Sequence, residues 1–219
     1  MKVIGQGLSK EKILEILSRL RQAYPEAKCG LNFTTPFELL IATILSAQCT
    51  DVRVNRVTER LFARASTPEA ILSVGEDELQ EEIRECGLFR MKSRHIIEAC
   101  QMILAEYGGE VPSDFHSLVK LPGVGRKTAN VMLTNAFGTP SMPVDTHVFR
   151  VSNRVGLATG KTPREVEEGL KQNLPQAEWH DAHHLLIYHG RHICKARNPL
   201  CHECQIRDLC MSGEAKPED

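Results

Sequence analysis

Four of the eight cysteines crowd into seventeen residues near the C-terminal end of the chain, and this cluster constrains the fold more than any other feature. Its spacing is C-x6-C-x2-C-x5-C, formed by Cys194, Cys201, Cys204 and Cys210. Four thiolates so close in sequence can surround one metal centre, because a single tight loop can wrap it. The remaining cysteines are scattered and are interpreted as reduced small hydrophobic residues: Cys29, Cys49, Cys86 and Cys100.

The spacing of the cluster favours an iron-sulfur centre over zinc. Structural zinc sites usually offer two chelating pairs of the C-x2-4-C kind, and this cluster has one such pair. The longer steps of six and five residues suit an iron-sulfur cubane, whose irons occupy separate corners. Zinc stays open on spacing alone. Because four cysteine ligands leave no open position for substrate, we expect a structural or redox role.

Helix signals recur along the whole chain, and strand signals hardly occur. Ser9 precedes an apolar stripe of helical period that ends before Pro25. Thr35-Pro36-Phe37-Glu38 is a capping box that predicts a helix through Ala47, and Thr162-Pro163-Arg164-Glu165 repeats it. Further predicted caps and glycine stops are Asp51, Ser113, Gly87, Gly108, Gly138 and Gly156. We predict an all-α protein of about ten short helices.

Composition places the 219-residue chain among soluble globular proteins, with 42% hydrophobic and 25% charged residues. No apolar stretch approaches the roughly 20 residues of a membrane span, and the N-terminus lacks the apolar region of a signal peptide. We therefore predict a cytoplasmic protein with a disordered tail from Gly213 onward.

A net charge of −1 offers no general attraction for a polyanion. The charge is unevenly distributed, because residues 121–160 hold four cations against one carboxylate, while acidic residues concentrate at positions 76–85. Arg191, Lys195 and Arg197 add cations without an acidic neighbour. We expect a protein that is neutral on average and basic where a nucleic acid would bind.

Between two predicted helices the chain turns sharply at Leu121-Pro122-Gly123-Val124-Gly125-Arg126-Lys127-Thr128. Gly123 and Gly125 permit close approach of a ligand, and the free amides that open the second helix can bind an anion. A P-loop for nucleotides requires G-x-x-x-x-G-K-[ST], but Arg126 separates Gly125 from Lys127 and position 120 is lysine. A hairpin of this kind is typical of proteins that hold the DNA backbone without reading bases.

Lys127 and Asp145 are the candidate reactive residues. A cation in the first turn of a helix faces the positive end of the helix dipole. Lys127 therefore either adds a phosphate contact or is held as a neutral amine that acts as a nucleophile. Asp145 opens the next predicted helix, within Pro143-Val144-Asp145-Thr146-His147. It can cap that helix, and it can also face Lys127 across a cleft as a proton acceptor and counter-charge.

Together these residues resemble the endonuclease III family of DNA glycosylases, in the helix-hairpin-helix superfamily. The motifs that carry the resemblance span nearly the whole chain: Phe37-Glu38-Leu39-Leu40, Leu45-Ser46-Ala47-Gln48-Cys49-Thr50-Asp51, the hairpin through Ala129-Asn130, Val144-Asp145-Thr146-His147 and the cysteine tail. The resemblance implies two all-α domains flanking a DNA groove. One is a six-helix barrel at residues 29–139, with the helix-hairpin-helix at about 113–138. The other joins residues 1–28 to 140–219.

The resemblance also assigns a cofactor and residue roles. The four tail cysteines match the ligands of one [4Fe-4S] cluster, which favours iron over zinc. Lys127 matches the nucleophile and Asp145 the catalytic carboxylate. Gln48 and Leu88 match residues that wedge into the base stack, although from the sequence alone Leu88 would be a core residue and Gln48 a residue of a helix surface. The other implied DNA-binding positions are Gly123, Gly125 and His147.

The implied activity is excision of oxidised pyrimidines from duplex DNA through a lysine Schiff base, with strand cleavage 3′ to the abasic site by β-elimination. Adenine-mismatch glycosylases and relatives specific for mismatched thymine depart from this pattern at the position of Lys127. Three alternatives stay open: a thymine-, uracil- or adenine-mismatch glycosylase, a non-catalytic DNA-binding iron-sulfur protein, and an electron-transfer protein. We expect a monomer that binds no membrane and associates with the nucleoid when bound to DNA.

Overall fold

The computed structural model describes residues 8–213, and this part of the chain contains helices but no strand. Its α-helices are α1 (Lys10–Ala23), α2 (Pro36–Leu45), α3 (Asp51–Phe62), α4 (Pro68–Val74), α5 (Glu76–Glu82), α6 (Phe89–Tyr107), α7 (Phe115–Leu118), α8 (Arg126–Ala136), α9 (Thr146–Val155), α10 (Pro163–Asn173) and α11 (Trp179–His192). Short 3-10 turns lie at Arg84–Cys86, Gln176–Glu178, Cys201–Glu203 and Arg207–Leu209. The all-α prediction is confirmed. The tail is predicted to be disordered from Gly213 onward, but Gly213 lies in a turn, and the rest of that tail lies outside the described residues.

None of the described helices is long and apolar enough to cross a membrane. The chain divides into two compact units, one of Cys29–Thr139 and one that combines Met1–Lys28 with Pro140–Asp219. Each unit buries an apolar cluster of its own among the described residues. The assignment of these units as a barrel domain and a cluster domain stays a prediction.

Helix α2 lies at the centre of the unit formed by Cys29–Thr139. Every residue from Phe37 to Leu45 is buried, so the helix requires neighbours on all sides. Those neighbours are α3, α6 and α8, and α6 packs in turn against α4 and α5. Helix α2 ends at Leu45, and α8 begins at Arg126.

In the other unit, α9 packs against α10 and α11, and α1 packs against α11. Val148, Val151 and Val155 recur at helical spacing on α9 and are all buried. The apolar stripe predicted after Ser9 is buried in the same core, through residues such as Ile16 and Leu20 of α1.

Capping explains most of the helix starts. The hydroxyl of Thr35 accepts a hydrogen bond from the amide of Glu38 at 3.2 Å, and the Glu38 carboxylate accepts from the amide of Thr34 at 2.6 Å. Thr162 and Glu165 repeat the first bond, at 3.2 Å. Glu38 reaches one residue further back than in the standard capping box, but it satisfies a free amide in the same way.

Two predicted boundaries are wrong by one or two residues. Thr50, rather than Asp51, caps α3, because its hydroxyl accepts a hydrogen bond from the amide of Arg53 at 3.4 Å. Helix α2 ends at Leu45 and not at Ala47, and the Ser46 hydroxyl donates to the carbonyl of Thr43 at 2.8 Å just beyond its end.

Candidate functional site

The hairpin predicted at residues 113–138 is formed by α7, a tight turn and α8. Asp114 caps α7, because its Oδ1 accepts a hydrogen bond from the amide of Ser117 at 2.9 Å, so the predicted cap at Ser113 is wrong by one residue. Hydrogen bonds from the Ser117 amide and hydroxyl hold the pKa of Asp114 below its usual value. The amide of Val124 donates to the carbonyl of Leu121 at 3.0 Å and closes the turn.

The two hairpin glycines serve different needs. Gly123 has a φ of +80°, and a Cβ there would lie 3.1 Å from Cβ of His95, so conformation and space both require glycine. Gly125 has an ordinary φ of −91°, caps α8 without a side chain, and has no atom within 4 Å of an added Cβ. The open space at Gly125 leaves the first amides of α8 accessible to an anion.

Lys127 lies in the first turn of α8 with its side chain exposed. Beside it, the guanidinium of Arg126 lies 5.2 Å from the ring centre of Phe115 and so connects α8 to α7. Lys127 is also close enough to Cys29 for its charge to counteract part of the rise that burial causes in the pKa of that thiol. The structure thus presents the Lys127 amine at the open end of the hairpin.

Asp145 caps α9, so one of its two predicted roles is confirmed. Its Oδ1 accepts hydrogen bonds from the amides of His147 and Val148, each at 2.8 Å. Within residues 8–213 the other oxygen, Oδ2, accepts no hydrogen bond. The ring of His147 is half-buried, and its Nδ1 lies 3.2 Å from Nη2 of Arg150. Capping therefore fixes the Asp145 carboxylate in orientation while leaving one oxygen for other chemistry.

Gln48 and Leu88 share an unusual backbone conformation. Among the described residues, positive φ occurs at three non-glycine positions, and two of them are Gln48 at 54° and Leu88 at 48°. Both side chains are exposed, and Leu88 retains 51% of its accessible surface. A non-glycine residue in this region is held there by its surroundings, and such strain concentrates at functional sites. The expectation from the sequence alone that Leu88 is a core residue is wrong.

The four tail cysteines line one cavity of about 540 Å³, together with Arg154, His189 and Asn198. Nη1 of Arg154 lies 3.6 Å from Sγ of Cys194, and Nε2 of His189 lies 3.6 Å from Sγ of Cys204. Donors aimed at ligand sulfurs are the usual second layer around a thiolate-bound metal group.

The donor set fits an iron-sulfur group. Burial raises the pKa of Cys204 and Cys210, and the neighbouring cysteines add to the rise, so four thiolates would need a compensating positive charge at the centre. Within residues 8–213, no three His, Cys, Asp or Glu side chains are close enough together to hold a single metal ion. Four soft sulfur donors around a cavity of this size can instead hold a polynuclear centre.

Arg150 and Arg154 belong to the stretch where the charge pattern predicts cations available to nucleic acid. Their guanidinium groups instead bind backbone carbonyls within their own unit. Arg150 donates to the carbonyls of Cys194 at 3.0 Å and Gly190 at 2.9 Å. Arg154 donates to the carbonyls of Lys195 at 2.6 Å and Ala196 at 3.0 Å. These two arginines therefore hold the start of the cysteine loop.

No sequence motif includes Lys92, although its position gives a signal. It lies on the apolar stripe of α6 with Phe89, Ile96 and Ile103, where a charge is out of place. In the structure it is 2% exposed. His189, which contacts Cys204, likewise has no specific signal in the sequence, because it is one of several histidines in α11.

Two family models match the sequence. Residues 41–176 match the HhH-GPD superfamily base excision DNA repair protein, and residues 194–210 match the iron-sulfur binding domain of endonuclease III. The helical fold, the glycine hairpin and the four-cysteine loop thus define a helix-hairpin-helix protein of base excision DNA repair with an iron-sulfur site.

Comparison with individual proteins shows which family within this class the chain belongs to. Endonuclease III of Escherichia coli strain K12 is 50% identical over 203 residues, which cover 93% of this chain and 96% of that protein. Endonuclease III of Bacillus subtilis strain 168 is 47% identical over 210 residues, 95% of this chain and 96% of that protein. The chain belongs to the endonuclease III family, and it is a DNA glycosylase with AP lyase activity.

Solved structures agree with this family assignment. A trapped covalent intermediate of endonuclease III with DNA has a TM-score of 0.89 and 47% identity, covering 95% of this chain and 98% of that one. A thermostable thymine-DNA glycosylase has a TM-score of 0.82 at 24% identity, covers 94% of this chain and 98% of its own, and shares the fold. The predicted family, fold class, activity class and iron-sulfur cofactor are confirmed, and the roles of individual residues stay predictions.

Proposed function

We propose that this chain excises oxidised pyrimidines from duplex DNA and cleaves the strand 3′ to the resulting abasic site, with Lys127 as the nucleophile. The observation that carries the proposal is the exposed Lys127 amine in the first turn of α8, directly after the open Gly125. A glycosylase that only hydrolyses the glycosidic bond needs no amine at this position, whereas a lyase needs an amine to form the Schiff base.

Lys127 supplies the nucleophile for the bond changes at C1′. Nζ of Lys127 bonds to C1′ of the damaged nucleotide as the glycosidic bond breaks, and the base leaves with that electron pair and takes up a proton. The C1′–O4′ bond then breaks, O4′ keeps the bonding electrons and takes up a proton, and the nitrogen lone pair forms a protonated Schiff base between Nζ and C1′. The Schiff base makes a C2′ proton acidic, and its removal forms the C2′–C3′ double bond as the 3′ phosphate leaves.

Asp145 takes the proton that Lys127 must lose before attack, and its negative charge stabilises the cation that develops on the sugar. The free Oδ2 supports this role, since the cap occupies Oδ1 alone. A carboxylate that is fixed before substrate binds does not have to reorient during the reaction.

The reacting C1′ is hidden in a duplex, so the nucleotide must first leave the stack. We propose that Gln48 and Leu88 enter the space it leaves, because both are exposed and both are held in fixed left-handed turns. Gly123, Gly125 and the region of His147 bind the DNA backbone, with the uncapped amides of α8 as donors to phosphate.

Cys194, Cys201, Cys204 and Cys210 would hold the [4Fe-4S] cluster, with Arg154 and His189 donating to ligand sulfurs. When bound, the cluster supplies a cross-link for the loop and a redox-active centre. The contribution of this loop to DNA binding lies in its exposed cations, Lys195 and Arg197. We place the enzyme in the cytoplasm as a monomer acting on chromosomal DNA.

The deciding experiment is borohydride trapping on a duplex that carries one oxidised pyrimidine. Wild type should give a covalent protein-DNA adduct, and Lys127→Ala should give none. Lys120→Ala is the matched control, because Lys120 is an exposed lysine between α7 and α8 of the same hairpin, and it should trap like wild type. Equal trapping by wild type and Lys127→Ala would refute the role of Lys127.

Parallel duplexes with uracil or an adenine mismatch test the substrate. Faster excision from either of these than from the oxidised pyrimidine would refute the substrate class. An absence of any excision, with DNA binding intact, would refute the enzymatic function.

A further inference from the structure

Lys92 is a buried lysine that the proposed reaction does not use. Its side chain is 2% exposed, and it lies among the apolar residues of α6 that face the core of its unit, such as Ile96 and Cys100. An ammonium group in such a place is costly unless it is fully hydrogen-bonded. The hydrogen-bond partners of the Lys92 ammonium group therefore explain how a lysine is accommodated in this core.

Both partners of Lys92 are backbone carbonyls. Nζ donates to the carbonyl of Leu45 at 2.8 Å and to the carbonyl of Cys86 at 2.7 Å. Leu45 is the last residue of α2, where carbonyls lack partners within the helix and the dipole favours a cation. Cys86 ends the 3-10 turn Arg84–Cys86. One side chain thus joins two segments that are far apart in sequence.

Each of these segments leads directly into a residue with positive φ. Gln48 follows Leu45 by three residues, and Leu88 follows Cys86 by two. The left-handed conformation costs a non-glycine residue of order 1–3 kcal/mol, and it persists only where the surrounding structure enforces it. Lys92 therefore binds the backbone three residues before Gln48 and two residues before Leu88.

We propose that Lys92 is a positioning residue that holds the two loops presenting Gln48 and Leu88 in register, so that both side chains enter the base stack together. The inference rests on the proposed wedge role of these two residues. Lys92 itself touches no DNA, because its side chain is buried. Its effect belongs to the extrusion of the nucleotide and not to the chemistry at Lys127.

The test compares two substrates that differ in the need for unstacking. One is a duplex with a single oxidised pyrimidine, and the other is a single-stranded oligonucleotide with an abasic site, which has no stack to open. Lys92→Met keeps the length of the side chain and removes its donors. We expect single-turnover excision from the duplex to fall roughly ten- to hundredfold, as for a small misplacement of a positioning group. We expect cleavage of the single strand to stay within about twofold of wild type.

The ratio of the two rates does not depend on how much of the protein is folded, so a loss of stability alone leaves it unchanged. Lys92→Arg retains charged donors and should recover most of the ratio, which provides a second variant if Lys92→Met folds poorly. Glu98→Met is the matched control on an exposed position of the same helix, and it should leave the ratio at the wild-type value. 2-Aminopurine placed next to the lesion should brighten more slowly with Lys92→Met, because unstacking is impaired.

Separate variants distinguish the role of Lys92 from the wedge role of Gln48 and Leu88. Gln48→Ala with Leu88→Ala tests the wedge, and an unchanged duplex rate in that double variant would overturn the wedge and the role of Lys92 with it. If the double variant is slow but Lys92→Met keeps the wild-type ratio, the role of Lys92 alone is overturned. Adding Lys92→Met to the double variant should cost little more, and a full additional loss would also overturn it.

Discussion

The hydroxyl of Tyr24 lies 3.1 Å from Nδ1 of His189. The other ring nitrogen of His189 lies 3.6 Å from Sγ of Cys204, so the pair connects the end of α1 to the cysteine loop. Burial lowers the pKa of His189 to about 4, and its imidazole is therefore neutral at neutral pH, with one ring nitrogen donating and the other accepting. Contacts with Tyr24 and His189 thus support the cysteine loop, in addition to the iron-sulfur group that its cysteines would hold.

Cys204→Ser should abolish the iron-sulfur site, because a serine hydroxyl is a poor substitute for a soft thiolate. The purified variant is expected to lose the visible charge-transfer absorption and the iron and acid-labile sulfide of wild type. Cys29→Ser, at a half-buried cysteine outside the loop, should retain all three. Full retention of the absorption by Cys204→Ser would remove Cys204 from the ligand set.

Arg154→Gln should loosen the cysteine loop without weakening the contacts that DNA makes with phosphate-binding cations. The side chain donates to the carbonyls of Lys195 and Ala196, so its loss should speed the release of iron to a chelator. The log-log slope of DNA affinity against salt should stay at the wild-type value. A slope lower by about 0.9 would instead mean that Arg154 neutralises one phosphate.

The two hairpin glycines should respond differently to alanine. Gly123→Ala should lower the free energy of unfolding by more than about 1 kcal/mol, because φ is positive and the new Cβ would meet His95. Gly125→Ala should leave stability within about 0.5 kcal/mol of wild type, since its φ is ordinary and its surroundings are open. Both should weaken DNA binding, and thermal unfolding with a binding titration separates the two effects. Normal DNA affinity in Gly125→Ala would exclude close approach of the phosphate there.

Asp145→Asn and Asp145→Ala should separate capping from catalysis. Asparagine caps a helix about as well as aspartate, so Asp145→Asn should keep the stability of wild type while turnover falls about 10²-fold or more. Asp145→Ala should lose about 1 kcal/mol of stability in addition. The measurements are chemical denaturation and single-turnover excision. Wild-type turnover in Asp145→Asn would leave the residue as a cap alone.

His184 should make the protein sensitive to acid. Burial lowers its pKa to about 4, and the charge of His180 acts in the same direction. The unfolded chain binds this proton near pH 6.5 and the folded chain near 4, so stability is fully present above about 6.5 and falls by up to about 3 kcal/mol as the pH drops to about 4.

The matched pair for this prediction is His184→Gln, which should flatten the dependence of unfolding free energy on pH, and His116→Gln, at an exposed site that does not act on His184, which should preserve it. Equal slopes in all three proteins, measured by denaturation from pH 4 to 8, would show that His184 takes up its proton equally in both states.

The helix starts at Thr35 and Thr162 could be predicted because a cap and its amide lie three residues apart. The function of Asp145 as a cap is local in the same way. The role of Lys92 could not be read from its surroundings in sequence, since its partner Leu45 lies 47 residues away. The hydrogen bonds of Arg150 and Arg154 could not be predicted either, because the carbonyls that they bind, in α11 and in the cysteine loop, lie some 40 residues further along the chain. Charge counted along a chain does not reveal which cations are already bound within the fold.

Helix α1 packs against α11, and more than 150 residues separate the end of one from the start of the other. A ribosome that adds roughly 5–20 residues per second exposes the apolar face of α1 for roughly 8 to 30 seconds before its partner is made. The continuous unit from Cys29 to Thr139 emerges complete in that interval and can fold first. Assembly of the discontinuous unit, and with it the insertion of iron and sulfide, therefore comes last in the biosynthesis of this enzyme.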